Sequence, residues 1–137
     1  MGAWSTDNFG NDDALDFVGD LCSRGDEKLI GKALAAVANC GDAKYLEVPE
    51  CSSALAAAEL VAAAKGVPPR NLPDDAADWL DSHAPRLGSE LVGLARRAVE
   101  RVRTDSELKE HWEQNGTAEE WHQVLADLAK RLDSISA

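Results

Sequence analysis

Between Ala54 and Ala64 the chain reads Ala-Leu-Ala-Ala-Ala-Glu-Leu-Val-Ala-Ala-Ala, with Glu59 as its one ionisable side chain. In helical register such a run leaves no polar face for water, so it predicts a helix enclosed by its neighbours rather than one lying on a surface. Pro49 suits the first turn, where its missing N–H would lack a helical partner anyway, and the helix is expected to run to about Lys65. The small side chains let surrounding helices approach closely. A carboxylate inside such a segment is costly, or protonated, unless something binds it. Amides or hydroxyls of the N-terminal residues, or an arginine, are the partners expected for Glu59; the alternative is a helix rotated so that Glu59 meets water.

The rest of the chain also reads as helical, because apolar residues return at three- and four-residue intervals and no stretch alternates as a strand does. A first helix runs from a cap at Asn11 or Asp12 to about Ser23, with Ala14, Leu15, Phe17, Val18 and Leu21 as its inner face. Asp12 and Asp13 occupy the first turn, where the macrodipole favours negative charge. Asp26 caps a second helix whose stripe is Leu29, Ile30, Ala33, Leu34 and Val37. Beyond the central helix, Gly66, Pro68, Pro69 and Pro73 make a stiff loop. A short helix from Asp74 or Asp75 passes through Trp79 and Leu80, and Pro85 marks the next boundary. Leu87, Leu91, Leu94, Ala95, Ala98 and Val102 then define a long amphipathic helix. Thr104-Asp-Ser-Glu107 and Thr117-Ala-Glu-Glu120 both spell capping boxes, each predicting a helix start. The closing helix carries Trp121, Val124, Leu125, Leu128, Leu132 and Ile135. The expected fold is all-α, a single-domain bundle of six to seven helices over residues 1–137. An N-terminal arm holding Trp4 and Phe9 is expected to dock on the Ala-rich central helix, because free tails rarely carry large aromatics.

A formal net charge of -11 repels phosphate backbones and attracts basic protein surfaces, so a basic protein partner is expected and nucleic acid is not. Cys22, Cys40 and Cys51 are odd in number and lack a C-x-x-C spacing, which argues against both a disulfide framework and a zinc site. A reducing cytoplasm fits them, with Cys22 and Cys40 as small buried hydrophobes. No run approaches the roughly 20 apolar residues of a membrane span, and no secretory signal pattern opens the chain. Membrane attachment is therefore not expected.

Asp12, Asp16 and Asp20 lie at i, i+4 and i+8, sharing one helix face with Asp13 beside it. Such a face is solvated, meets a basic partner, or holds a hard cation if Glu59 or another helix adds oxygens. His111 and His122 flank an Asn-Gly turn, each next to a tryptophan, with Glu107 one turn before His111. They form a surface pair, or a metal or pH-sensitive cluster if their helices pack antiparallel. Trp4, Trp79, Trp112 and Trp121 are four of only seven aromatic residues. Most should anchor the core, and any left exposed is a candidate interface anchor, Trp112 first. Arg96, Arg97, Arg101 and Arg103 cluster near the end of the long helix, where the macrodipole and Glu100 account for them. No nucleophile elbow, phosphate-binding glycine loop, H-E-x-x-H or dinucleotide fingerprint occurs. No cofactor is therefore expected, and none of these motifs assigns a catalytic residue.

The opening Gly2-Ala-Trp4, together with Ala54-Leu-Ala-Ala-Ala-Glu-Leu-Val-Ala-Ala, resembles the bacterial family catalogued as domain of unknown function 4259. The resemblance implies a compact helical domain and assigns no activity. The residues themselves favour a non-catalytic protein-binding or regulatory module, with Trp112 and Asp20 as interface candidates. The alternative is a metal-dependent hydrolase built on Asp12, Asp13, Asp16 and Glu59.

Overall fold

The structure is a computed structural model that describes residue 9 and residues 12–24, 27–39, 46–69, 72–104, 106–114, 116 and 118–135. Among these residues there are seven α-helices and no strand: α1 Asp12–Arg24, α2 Glu27–Ala38, α3 Val48–Ala64, α4 Asp74–His83, α5 Glu90–Thr104, α6 Glu107–Gln114 and α7 Ala118–Asp133. A single 3-10 turn, Ala84–Arg86, follows α4 at Pro85. The all-α bundle expected from the periodicity is the fold observed.

Helix α3 is the axis. It packs against α1, α2, α4, α5, α6 and α7, which is why its sequence has no polar face. Every residue from Ala54 to Ala62 is buried, Glu59 included. The N-terminal Phe9 is also buried in the core, whereas Trp4 and the rest of the expected arm lie outside the described residues.

Two local devices fix the ends of α3. At its start Glu47 provides no side-chain cap. Instead the Val48 N–H donates to Glu107 Oε1 across 2.8 Å, while the Glu107 N–H donates to the Leu46 carbonyl at 2.9 Å. One carboxylate on α6 thus satisfies an orphan amide of a helix far away in sequence. At the other end Gly66 takes φ 94°, a left-handed conformation that suits glycine. The Gly66 N–H donates to Ala63 O at 3.1 Å and the Val67 N–H to Ala62 O at 2.9 Å, which together form a Schellman stop.

Several expectations are corrected. Leu15 is 42% exposed, because the arc set by Ala14, Phe17, Val18 and Leu21 turns it outward. On α5, Val92 and Val99 join Leu91, Ala95, Ala98 and Val102 in the core. Thr104 does not open a capping box: it is the last residue of α5, and its hydroxyl donates back to Glu100 O at 2.9 Å. The cap of α6 is Ser106, whose buried Oγ accepts the Lys109 N–H at 3.1 Å and donates to Val102 O at 2.8 Å. Thr117 of the second box lies outside the described residues, though α7 starts where that box places it.

Candidate functional site

Two carboxylate sites are built on opposite principles. The first is internal. Arg131 of α7 reaches Glu59 of α3 with both terminal nitrogens, Nη1 to Oε1 at 2.7 Å and Nη2 to Oε2 at 3.1 Å. The same guanidinium donates through Nε to Asp127 Oδ2 at 2.8 Å, one turn back on α7, and through Nη1 to the Val67 carbonyl at 3.2 Å. The Schellman stop at Gly66 is what brings that carbonyl into reach. Burial alone would lower the Arg131 pKa, but the hydrogen bond and charge of Glu59, then those of Asp127, outweigh it and hold the group above its ordinary value. A bidentate, charge-assisted pair is the geometry that makes an ionised carboxylate tolerable in a core. Glu59 is therefore enclosed as the sequence suggests, and of the partners expected for it the arginine is the one seen. Any bond from Trp4 or its neighbours falls outside the described residues.

The second site is external. On α1, Asp12, Asp16 and Asp20 are exposed and Asp13 is half-buried. They point outward because Ala14, Phe17, Val18 and Leu21 take the inner arc. Glu59 faces the interior with both oxygens on Arg131, so the acidic constellation of Asp12, Asp13, Asp16 and Glu59 is not brought together. Among the described residues no three His, Cys, Asp or Glu side chains converge as a metal-ligating group would. What α1 does meet is α4, which packs beside it and carries Asp74, Asp75, Asp78 and Asp81, all exposed. The two helix sequences hold eight aspartates, and Arg24 is their only lysine or arginine. The aspartates of α4 sit three and four residues apart, a pattern visible in the sequence but taken there only as a helix start.

A cavity of about 270 Å³ opens at this junction, lined by Cys22, Asp75, Asp78 and Trp79. Cys22 is exposed, not the buried hydrophobe expected, and its thiol donates to the Asp75 carbonyl at 3.4 Å. Partial burial and then the charges of Asp75 and Asp78 push its pKa up. The Trp79 ring stacks on His83 with centroids 4.2 Å apart and planes within 2°. His83 Nδ1 lies 2.8 Å from the Trp79 carbonyl, so the pair forms a rigid slab at the end of α4. Trp79 is 6% exposed and its Nε1 has no hydrogen-bond partner.

The other sequence candidates have structural tasks. Trp112 is buried at 8% exposure, with the His111 ring edge-on to it at 4.9 Å; its indole packs the core and is unavailable as a surface anchor. Glu107, considered as a ligand with His111 and His122, is instead bound to the Val48 amide. Arg96 donates to the Leu132 and Ile135 carbonyls at 2.8 and 3.3 Å, and its Nε lies 3.3 Å from Asp133, so it closes the end of α7. Arg103 pairs with Glu100 at 3.3 Å.

The class defined here is a helical bundle with an enclosed ion pair and one strongly acidic face. The chain belongs to the family described as Domain of unknown function (DUF4259), whose model matches residues 2–124. No curated protein and no solved structure matches it. No described helix is long and apolar enough to cross a membrane.

Proposed function

We propose that this chain is a non-catalytic protein-binding module, acting as a single domain, whose α1–α4 face receives a basic surface of a partner protein. The observation that carries this reading is the side-by-side packing of α1 and α4, which places eight aspartates on two neighbouring helices. Among the described residues no ion pair engages Asp12, Asp16, Asp74, Asp75, Asp78 or Asp81. Like charges one turn apart cost a folded helix about 0.2–0.5 kcal/mol per pair, and a basic partner relieves that repulsion. The same field accelerates encounter with a cationic surface and weakens as salt rises. Leu15 adds an apolar contact on α1.

Titration calorimetry with an arginine-rich peptide tests this reading. The expected result is binding at low ionic strength that weakens steeply toward about 0.15 M salt, where screening reaches roughly 8 Å. Replacing Asp12, Asp16 and Asp20 with asparagine should weaken it, whereas replacing the exposed Glu90, Glu110 and Glu119 with glutamine should not. Equal losses from both triple variants would mean that only net charge matters and would overturn the assignment of a face.

A further inference from the structure

Going beyond that reading, we infer that α4 is a salt-sensitive lid, which lifts off α1 and α3 as a unit while both ends of its segment stay fastened to the rest of the bundle. The fastenings are two cationic side chains on flanking carbonyls. Before α4, Arg131 of α7 donates to the Val67 carbonyl at 3.2 Å; after it, Lys65 Nζ at the end of α3 donates to the Leu87 carbonyl at 2.6 Å. Val67 is held besides through its own N–H, which donates to Ala62 O at 2.9 Å. Moving α4 breaks none of these bonds, so they set where the movement stops.

Between the fastenings the hold is slight. Ala76, Trp79 and Leu80 are the buried residues of α4, against the six that α5 seats in the core. Pro73 stands at the N-cap and offers no side-chain bond, so the leading amides of α4 lack that support. Among the described residues, the hydrogen bond that joins α4 to another helix comes from the Cys22 thiol, a weak donor, to the Asp75 carbonyl at 3.4 Å. The Trp79 Nε1–H is sealed in without an acceptor, and lifting the helix gives it water. His83, stacked on that indole, belongs to the same helix and travels with it, so the stack survives opening. Charge acts in the same direction. Asp74, Asp75, Asp78 and Asp81 recur at three- and four-residue spacing on α4, and α1 beside it carries four more aspartates. Ions that screen this repulsion favour the seated helix, and with it a complete acidic face.

Hydrogen exchange of the full chain, followed by mass spectrometry at several salt concentrations, tests the lid without any partner. A helix of 10 residues melts once off its support, so undocking opens the amides of residues 77–84 to exchange. They should exchange as one block, about 100-fold faster than residues 55–62 of α3, whose amides open only with the whole fold. Raising salt from about 0.02 M to about 0.5 M should slow the block about three- to tenfold relative to α3, the scale of a few relieved like-charge pairs. Asp78→Asn/Asp81→Asn, which removes charge toward the helix end where the macrodipole disfavours it, should slow the block at low salt and blunt its salt response. Exchange of α4 at the rate of α3, or only together with α1, would overturn the lid. Fast exchange that ignores both salt and the double variant would overturn its control by charge. Either failure leaves the acidic face to be judged by the peptide titration.

Discussion

Glu59 and the aspartates of α1 and α4 are the same chemical group in two settings. Inside, one carboxylate is matched donor for acceptor by Arg131 and becomes part of the framework. Outside, eight aspartates stand on two adjacent helices. The internal pair is strong because the medium is poor in competing dipoles, and for the same reason breaking it is expensive. The external face contributes little to folding, and under the proposed reading its charge serves a basic partner. An acidic residue in a buried helix therefore marks structure, while acidic residues gathered on an exposed helix face mark a surface to be examined for binding.

The sharpest way to break the comparison is Arg131→Ala, which leaves Glu59 buried without its guanidinium. Urea unfolding should show a loss of about 3–5 kcal/mol, and the double change Glu59→Leu/Arg131→Met should recover most of it. A loss no larger than that of a surface substitution would show that Glu59 is solvated. A second inward-facing group on α3 gives a pH test. Burial, followed by the charges of Glu50 and Glu107, outweighs hydrogen bonds from Ser106 and Leu108 and pushes the Cys51 thiol up to about 12 from 9.0. Between these values the folded chain keeps a proton that the unfolded chain has lost. Stability is thus complete below about pH 9 and should fall toward pH 12 by up to about 1.4 kcal/mol per unit. Cys51→Ala should flatten that limb in thermal melts. The smallest effect belongs to the outer face: Asp16→Asn and Asp78→Asn should each change stability by less than about 0.5 kcal/mol, toward stabilisation at low salt, with the gain vanishing as salt is added.

The enclosed helix was legible because an all-apolar stretch allows few placements, and the one charge within it stood out. Its partner was not, because Arg131 lies 72 residues from Glu59 and periodicity does not set how α7 is rotated against α3. The capping rule located α6 but chose the wrong residue. Thr104 and Ser106 both precede a glutamate-bearing turn, and only the extension of α5 through Thr104 leaves Ser106 to cap. Trp112 is the sequence's first choice of interface anchor should a tryptophan be left exposed, and its place on α6 turns it into the core. The acidic face was half legible: α1 showed it by spacing, while the contribution of α4 depends on a helix contact that only the tertiary structure supplies.

The exchange of bonds between Leu46, Val48 and Glu107 works like a clasp joining two stretches distant in sequence. Lifting α6 strips the leading amide of α3 of its acceptor, so the outer helix and the innermost one loosen as a unit. Deuterium uptake at Val48 thereby becomes a gauge of whether α6 is seated, readable without any label on α6 itself.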